Sequence, residues 1–260
     1  MMNNAKNVDQ SAQTRFGANA GNYVTSVVHS GGYTLDKLIE LVSPAEGKRA
    51  LDLATGGGHV ALALGQHGAS VVASDLTEKM LHAARQHISA QGRLASFCCN
   101  NAQDLPFPDA SFDIVTTRLA PHHFQDVSRY MSECTRVLRS GGILGVVDHA
   151  GAIDFQVAKY VNAYEKLRDP SHVWEFNEIE WNAMFHEVGL RVTHSEVVRQ
   201  RLNFNWWTKM QSNDAETVMR LRVMLRQMPR AVADWMEPET PLGSEWYFTR
   251  WQIVIAGVKP

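Results

Sequence analysis

Apolar and polar positions along the chain fall into short unbroken apolar runs separated by longer stretches with helical spacing. The run Ala50, Leu51, Asp52, Leu53, Ala54 leads through Thr55 into Gly56, Gly57 and Gly58. A Val/Ala/Leu-rich segment follows. This order predicts a strand, a tight turn and a helix over 59–67 that stops at Gly68. A second apolar run over 70–73 ends at Ser74 and Asp75, and Thr77 is placed to cap a helix carrying Met80, Leu81, Ala84 and Ile88 on one face. Further strands are expected over 94–98, 112–116 and 143–147, the last entered through a turn at Gly141 and Gly142. Pro106 and Pro108 keep 105–111 irregular. Helices are expected over 126–138, 154–167, 177–188 and 215–228, and strands over 191–198 and 250–258. Upstream, residues 1–12 are polar, and a partly amphipathic stretch from Phe16 through Tyr23 to Leu41 splits into two helices at Gly31 and Gly32.

Strands alternating with helices in this way predict an α/β fold, a mostly parallel sheet with helices on both faces. Parallel strands present ligands beyond their carboxyl ends, so Asp52, Asp75, Asn101 and Thr117 are expected to converge on one edge. The glycine turn allows close backbone approach, and the helix after it offers free N–H groups. A dinucleotide-binding enzyme uses that geometry, but these glycines do not have the G-x-G-x-x-G spacing. The Asp52 carboxylate repels a pyrophosphate and suits a cationic or hydroxyl-bearing ligand. By itself the cluster also reads as a plain turn between two core elements.

Composition narrows the class. The chain has 260 residues, 45% hydrophobic and 20% charged, within the range of one domain with a large core. A formal charge of -2 gives no general attraction to nucleic acid or anionic membrane, and no stretch has the apolar length of a membrane helix. Residues 1–13 are too polar for a secretory signal, and a cytoplasmic location is expected. Cys98, Cys99 and Cys134 have no disulfide-framework or CxxC spacing, and Cys98 and Cys99, after Phe97 at a strand end, are expected as buried small hydrophobes. No metal site is expected, because the His122–His123 pair lacks an accompanying ligand cluster. Segment 203–247 is rich in aromatics, with Phe204, Trp206, Trp207, Trp235, Trp246 and Tyr247, and either lines a substrate cavity or fills a helical core.

Leu51 to Leu62, Ser74-Asp75, Asn101-Ala102 and Leu105 to Val115 together resemble the class I S-adenosylmethionine-dependent methyltransferases. The nearer likeness is to the branch containing ubiquinone and menaquinone C-methyltransferases, whose turn before the fifth strand resembles Arg136 to Gly142. Arg118 to Val127, Val147-Asp148-His149 and Leu167 to Phe185, above all Leu167 to Val173, resemble a YcgJ-like bacterial subgroup. The ordered resemblance spans about residues 48–192, more than half the chain. It implies a Rossmann-like fold with a seven-stranded, mostly parallel sheet and a helical cap. Residues 1–45 and the aromatic segment match only loosely; from its own residues 1–45 is expected either to close over the cofactor site or simply to pack on the main domain, and 46–260 to form the methyltransferase domain with 203–247 as a substrate-cap insertion.

The resemblance also implies S-adenosyl-L-methionine as cofactor. Asp52, Ala54, Gly56 and Gly58 would surround its methionine and ribose portions, and Asp75 would hold the ribose hydroxyls. Leu76, Met80, Asn101 and Ala102 would lie beside adenine, with Thr117 and Arg118 completing the site. Asn101 stands where an aspartate is common, and Ala54 where glycine is common.

Histidines 122, 123 and 149 follow strands on the ligand edge, so each is a candidate for proton transfer; each also reads as an ordinary hydrogen-bonded loop residue. Arg168 and His172, with Trp174, Trp206 and Trp207, are the candidate acceptor contacts. The expected activity is methyl transfer to a small, partly hydrophobic or aromatic molecule, with oxygen, nitrogen and carbon acceptors all open. A catalytically silent cofactor-binding scaffold is the alternative. No nucleic-acid or membrane partner is expected, and the oligomeric state is not implied.

Overall fold

The computed structural model describes residues 31–260; the helix expected around Phe16 and Tyr23 lies outside the described residues. The first described helix is α1 (Tyr33–Val42). Then come β1 (Arg49–Leu53), α2 (His59–Gln66), β2 (Ser70–Asp75), α3 (Glu78–Ala90), β3 (Ser96–Cys99), β4 (Phe112–Arg118), α4 (Val127–Val137) and β5 (Leu138–His149). The chain continues with α5 (Phe155–Arg168), α6 (Glu178–Glu187), β6 (Arg191–Asn203), α7 (Phe204–Met210), α8 (Ala215–Arg226), α9 (Arg230–Met236) and β7 (Tyr247–Val258). The strands form one seven-stranded sheet in the order β3-β2-β1-β4-β5-β7-β6. Pairing is parallel from β3 through β5, and β7 runs antiparallel to both of its neighbours.

Both faces are buried, and strand periodicity decides which residue goes where. Leu51, Leu53, Val115, Leu144 and Val146 face one side, where Tyr130, Met131 and Cys134 of α4 and Trp181 and Phe185 of α6 complete the core. Ala50, Val71, Ala73 and Ile114 face the other side, against Leu38 and Val42 of α1 and Val60 and Leu64 of α2. A third apolar cluster lies beyond the sheet, built from Val161 and Tyr164 of α5, Trp207 of α7, Leu221 and Leu225 of α8, Met236 of α9 and Phe248 of β7. The segment between β6 and β7 thus supplies a helical cap packed on α5.

Several expectations change. Gly141 and Gly142 lie inside β5 as a bulge: the register against β4 jumps from Phe112 opposite Leu138 to Ile114 opposite Ile143. Gly141 adopts φ 75°, and its N–H donates to the Lys259 carbonyl at 2.8 Å, so the backbone stays paired instead of turning away. Thr77 occupies the N-cap of α3 without a capping bond, because its hydroxyl is engaged by Asp75. Strands β6 and β7 extend past their expected ends because Arg199, Gln200 and Arg201 pair across to Trp251, Arg250 and Thr249. Helices α7 and α9, seven residues each, are too short to show a period. β3 is an edge strand, so against expectation Cys99 is exposed and Cys98 only half-buried; Cys134, on α4, is buried.

Candidate functional site

The strand order reverses between β1 and β4, which opens a crevice at the carboxyl ends of β1, β2 and β4. A cavity of about 1070 Å³, counted to its open mouth, occupies it. The loop from β1 to α2 makes its floor. Ala54 (φ 51°) and Gly56 (φ 52°) are left-handed, a conformation that costs an alanine about 1–2 kcal/mol and a glycine nothing. Asp52, at the end of β1, is buried; it accepts the Thr55 hydroxyl at 2.6 Å and the Thr116 hydroxyl at 2.9 Å, and the Ala61 backbone N–H of α2. Burial pushes its carboxyl up to about 6 against those three bonds. Asp75, at the end of β2, accepts the Gly56 N–H at 3.0 Å and the Thr77 N–H at 2.9 Å, and burial raises it as well. Two buried carboxylates therefore line one cavity.

Leu76, Met80, Asn101, Ala102 and Arg118 line the same cavity. Burial lowers Arg118 to about 10, opposed by Asp52, so it stays charged at neutral pH. The Asn101 side-chain oxygen is held within its own turn by the Gln103 N–H at 2.9 Å and Gln103 Nε2 at 3.0 Å. Asn100 Oδ1 next to it is buried and accepts no hydrogen bond among the described residues. Asn100, Gly57 and His59 line the cavity and were not expected.

Two expected residues lie elsewhere. Gly58 faces α3, where an added Cβ would come 3.0 Å from the Ala84 Cβ; its role is helix packing, and Gly57 takes the lining position. Thr117 points to the opposite face of the sheet, where it accepts the Tyr130 hydroxyl at 2.9 Å. The two-residue strand period sends Thr116 and Arg118 toward the cavity edge and Thr117 away from it.

A second cavity adjoins the first, and Leu119 and His123 line both. Leu119 sits at the end of β4 with φ 55°, a strained conformation for a leucine. His122 and His123 follow in a single 3-10 turn, Pro121–His123. Ring centroids of His122 lie 4.1 Å from His123, 4.6 Å from His149 and 5.6 Å from His172. His122 Nδ1 is 2.5 Å from Asp148 Oδ1, and its backbone N–H donates to the other Asp148 oxygen at 2.8 Å. Burial pushes Asp148 up to about 7 and drives His122 and His149 well below the ordinary histidine value. His172, lowered by burial to about 2, binds Asn162 Oδ1 through Nε2 at 2.8 Å.

Arg168, His172, Trp206 and Trp207 all line this second cavity. Arg168 lies 4.6 Å over the Trp207 ring and 3.7 Å from Glu165. Trp174 is not among the lining residues; its ring lies 6.4 Å from Phe155. Trp235 and Trp246 pack on Trp251 and Phe204, so the aromatic segment divides between cavity wall and cap core. Gln200 and Gln252, from neighbouring strands, also line the cavity, and no motif signalled them. Among the described residues no group of three or more His, Cys, Asp or Glu side chains has the geometry to hold a metal, and no helix is long and apolar enough to cross a membrane.

Residues 51–146 match the family model described as a methyltransferase domain. The chain is 34% identical over 205 residues to the uncharacterised methyltransferase YcgJ of Bacillus subtilis, covering 78% of this chain and 81% of that protein. The crystal structure of YcgJ superposes with a TM-score of 0.83 at 31% identity, over 87% of this chain and 97% of that one. The demethylmenaquinone methyltransferase of Clavibacter sepedonicus is 36% identical over 132 residues, 51% of this chain and 54% of that one. The fold, the matched domain and the extent of similarity to YcgJ agree: this chain belongs to the methyltransferase family, with the class I fold.

Proposed function

We propose that the protein transfers the methyl group of S-adenosylmethionine to a small, partly hydrophobic or aromatic molecule held in the second cavity. The observation that carries this reading is the pair of adjoining cavities that meet at Leu119 and His123, one lined by two buried carboxylates and the other by tryptophans and histidines. The first cavity suits the cofactor. Asp75 is fixed by the Gly56, Leu76 and Thr77 backbone N–H groups and the Thr77 hydroxyl, and its carboxyl lines the cavity as an acceptor for ribose hydroxyls. The buried, unpartnered Asn100 Oδ1 suits an exocyclic amino group, with Leu76 and Met80 beside the ring. Gly56 and Gly57 leave room for the amino-acid end, and Asp52 and Arg118 supply the opposite charges that end requires. When bound, S-adenosylmethionine supplies an electrophilic methyl group on a sulfonium that departs as a neutral thioether. The chain's own residues align the acceptor and exclude water. Trp206, Trp207 and Leu202 give the apolar contact, and Gln200 and Gln252 give polar contacts without net charge.

Calorimetry with S-adenosylhomocysteine tests the cofactor half. One-site uptake is expected, weakened about 100-fold or more in Asp75→Ala, since two hydrogen bonds to a charged group contribute about 1.5–3 kcal/mol each. Well-folded protein that takes up neither S-adenosylhomocysteine nor S-adenosylmethionine overturns the reading.

A further inference from the structure

We propose that His123 is the general base of the transfer, that Asp169 acting through Ser171 fixes its tautomer, and that the acceptor attacks through an acidic hydroxyl, as a phenol or an enol does. The proposal rests on the cofactor reading above and specifies the chemistry of the neighbouring cavity.

The argument begins at Ser171, which is fully buried just after α5. Its hydroxyl donates to Asp169 Oδ1 at 2.5 Å, and its backbone N–H donates to the same oxygen at 2.9 Å. The other Asp169 oxygen accepts Gln211 Nε2 at 2.8 Å. Burial pushes Asp169 up, but the positive charge of a protonated His123, the two Ser171 bonds and Arg168 more than offset it and hold the carboxyl down to about 2; when His123 is neutral, the Ser171 bonds and Arg168 still favour the ionised carboxylate. An ionised carboxylate has no proton to give, so the serine proton lies toward Asp169 and Ser171 Oγ is left as an acceptor. Nδ1 of His123 stands 3.2 Å from that oxygen and must be the donor. A neutral imidazole that donates from Nδ1 carries its lone pair on Nε2. Thus the Asp169–Ser171 pair leaves His123 as a base.

Position separates His123 from the other three histidines. Among them it alone lines both cavities. His122 is tied to Asp148 and His172 to Asn162, and burial makes the protonated forms of His122, His149 and His172 costly. The second cavity also selects the acceptor. Arg168 donates to the Trp207 carbonyl at 3.1 Å and lies near Glu165, and Gln252 donates to Gln200 at 2.8 Å. Charge is matched within the protein, and the walls present tryptophan rings and amides, which suits a neutral planar molecule. An amine attacks through a lone pair it already has and sheds its proton afterwards. A hydroxyl gains from a base in the transition state.

In the step, the acceptor oxygen bonds to the methyl carbon while its proton passes to Nε2 of His123, and the electron pair of the breaking C–S bond stays on sulfur. The positive charge of the sulfonium ends on the imidazolium, which faces Ser171 and Asp169, and the proton then leaves to solvent. Among the described residues, the charged and titratable groups around His123 include His122 on its own turn, Asp148 and His149 on β5, Glu165, Arg168, Asp169 and His172 on α5 and the loop after it, and Arg250 on β7.

Two readouts test the assignment. Long-range 15N NMR of histidine-labelled protein without ligand should show His123 as the Nδ1–H tautomer. That preference should be lost in Ser171→Ala and Asp169→Asn and kept in Ser171→Thr, a pattern that simple loss of packing would not produce. The second readout uses 4-nitrophenol with saturating S-adenosylhomocysteine. At one acidic pH its visible phenolate absorbance should be several-fold larger with the wild-type protein than with His123→Ala, and intermediate with Ser171→Ala. An Nε2–H tautomer in the wild type overturns the relay. Equal phenolate absorbance in all three proteins, or no binding of 4-nitrophenol, overturns the base and acceptor assignment while leaving the cofactor reading intact. Absence of S-adenosylhomocysteine uptake overturns both.

Discussion

At the residue scale, the buried carboxylates make the first cavity sensitive to pH in a direction the geometry sets. Burial holds Asp52 up to about 6, so it is neutral below that pH and an anion above it. A cationic sulfonium gains from the anion and a neutral thioether does not. The affinity for S-adenosylmethionine relative to S-adenosylhomocysteine is therefore expected to rise about tenfold between about pH 5 and about pH 7, by calorimetry, and to stay flat in Asp52→Asn. His172 gives the opposite linkage to a paired histidine. Its pKa is lowered to about 2, so the folded protein refuses a proton that the unfolded chain binds near its ordinary value of about 6.5. Its contribution is lost as pH falls below that value. In His172→Gln, whose amide can still donate to Asn162, denaturant titrations should show a slope of stability against pH shallower by up to about 1.4 kcal/mol per pH unit between about pH 4 and about pH 6. Other buried groups act in the same window but are common to both proteins. Asp52, Asp75 and the flanking turn residues were legible in the sequence because strand ends and glycines mark them locally. The Asp169–Ser171–His123 chain was not: residues 48 positions apart meet only after α5 crosses the sheet edge.

At the element scale, the sheet was read well where an apolar run meets a turn, and poorly where the strand is polar. The central strands are buried on both faces and announce themselves as apolar runs. The missed ends, Arg199 to Asn203 of β6 and Tyr247 to Thr249 of β7, carry polar residues such as Arg199, Arg201 and Thr249 and are strands because the two strands pair with each other. The short cap helices were missed for a related reason, since tertiary packing rather than periodicity holds them. Glycines give the element scale its own test. An added Cβ at Gly145 of β5 would stand 2.6 Å from the ends of Leu38 and Val42 on α1, side-chain atoms that can shift. At Gly151, where β5 gives way to the crossover, it would stand 2.3 Å from the Glu175 carbonyl oxygen, which is backbone. The Gly151 N–H also donates to the Phe176 carbonyl at 3.0 Å, tying the two segments together. Gly151→Ala should cost about 3 kcal/mol or more and Gly145→Ala about 1–2 kcal/mol. Thermal melts of the two variants side by side check the order, and a Gly145→Ala protein that is the less stable would contradict it.

At the scale of the whole molecule, the question is what joins the cap to the sheet, because their apolar cores are separate clusters. Leu202 of β6 and Phe248 of β7 reach into the cap cluster, and beside them lies a buried ionic joint: Arg250 of β7 pairs through its guanidinium with Glu165 of α5 and with Glu175 of the loop before α6. Burial lowers Arg250 to about 9, so it remains charged at neutral pH, and it raises Glu175 well above the ordinary glutamate value. Replacing Arg250 by Met leaves two carboxylates buried without their cation. The expected loss is about 3–5 kcal/mol near neutral pH by chemical denaturation. The sign with pH follows from Glu175, which burial holds well above the ordinary glutamate value: as pH falls it takes a proton and stops being a buried charge, so the deficit should shrink toward acidic pH. A triple variant, Arg250→Met with Glu165→Gln and Glu175→Gln, carries no buried charge at these positions and should recover most of the loss. If it does, the cluster contributes little net stability and its effect lies in orientation, since α5 leads directly into Asp169, Ser171 and His172. The triple variant should then match the wild type in denaturant midpoint and in S-adenosylhomocysteine affinity, yet bind 4-nitrophenol more weakly. Equal binding of both ligands would instead assign the cluster to stability alone, and would separate the alignment of the second cavity from the ionic joint beneath it.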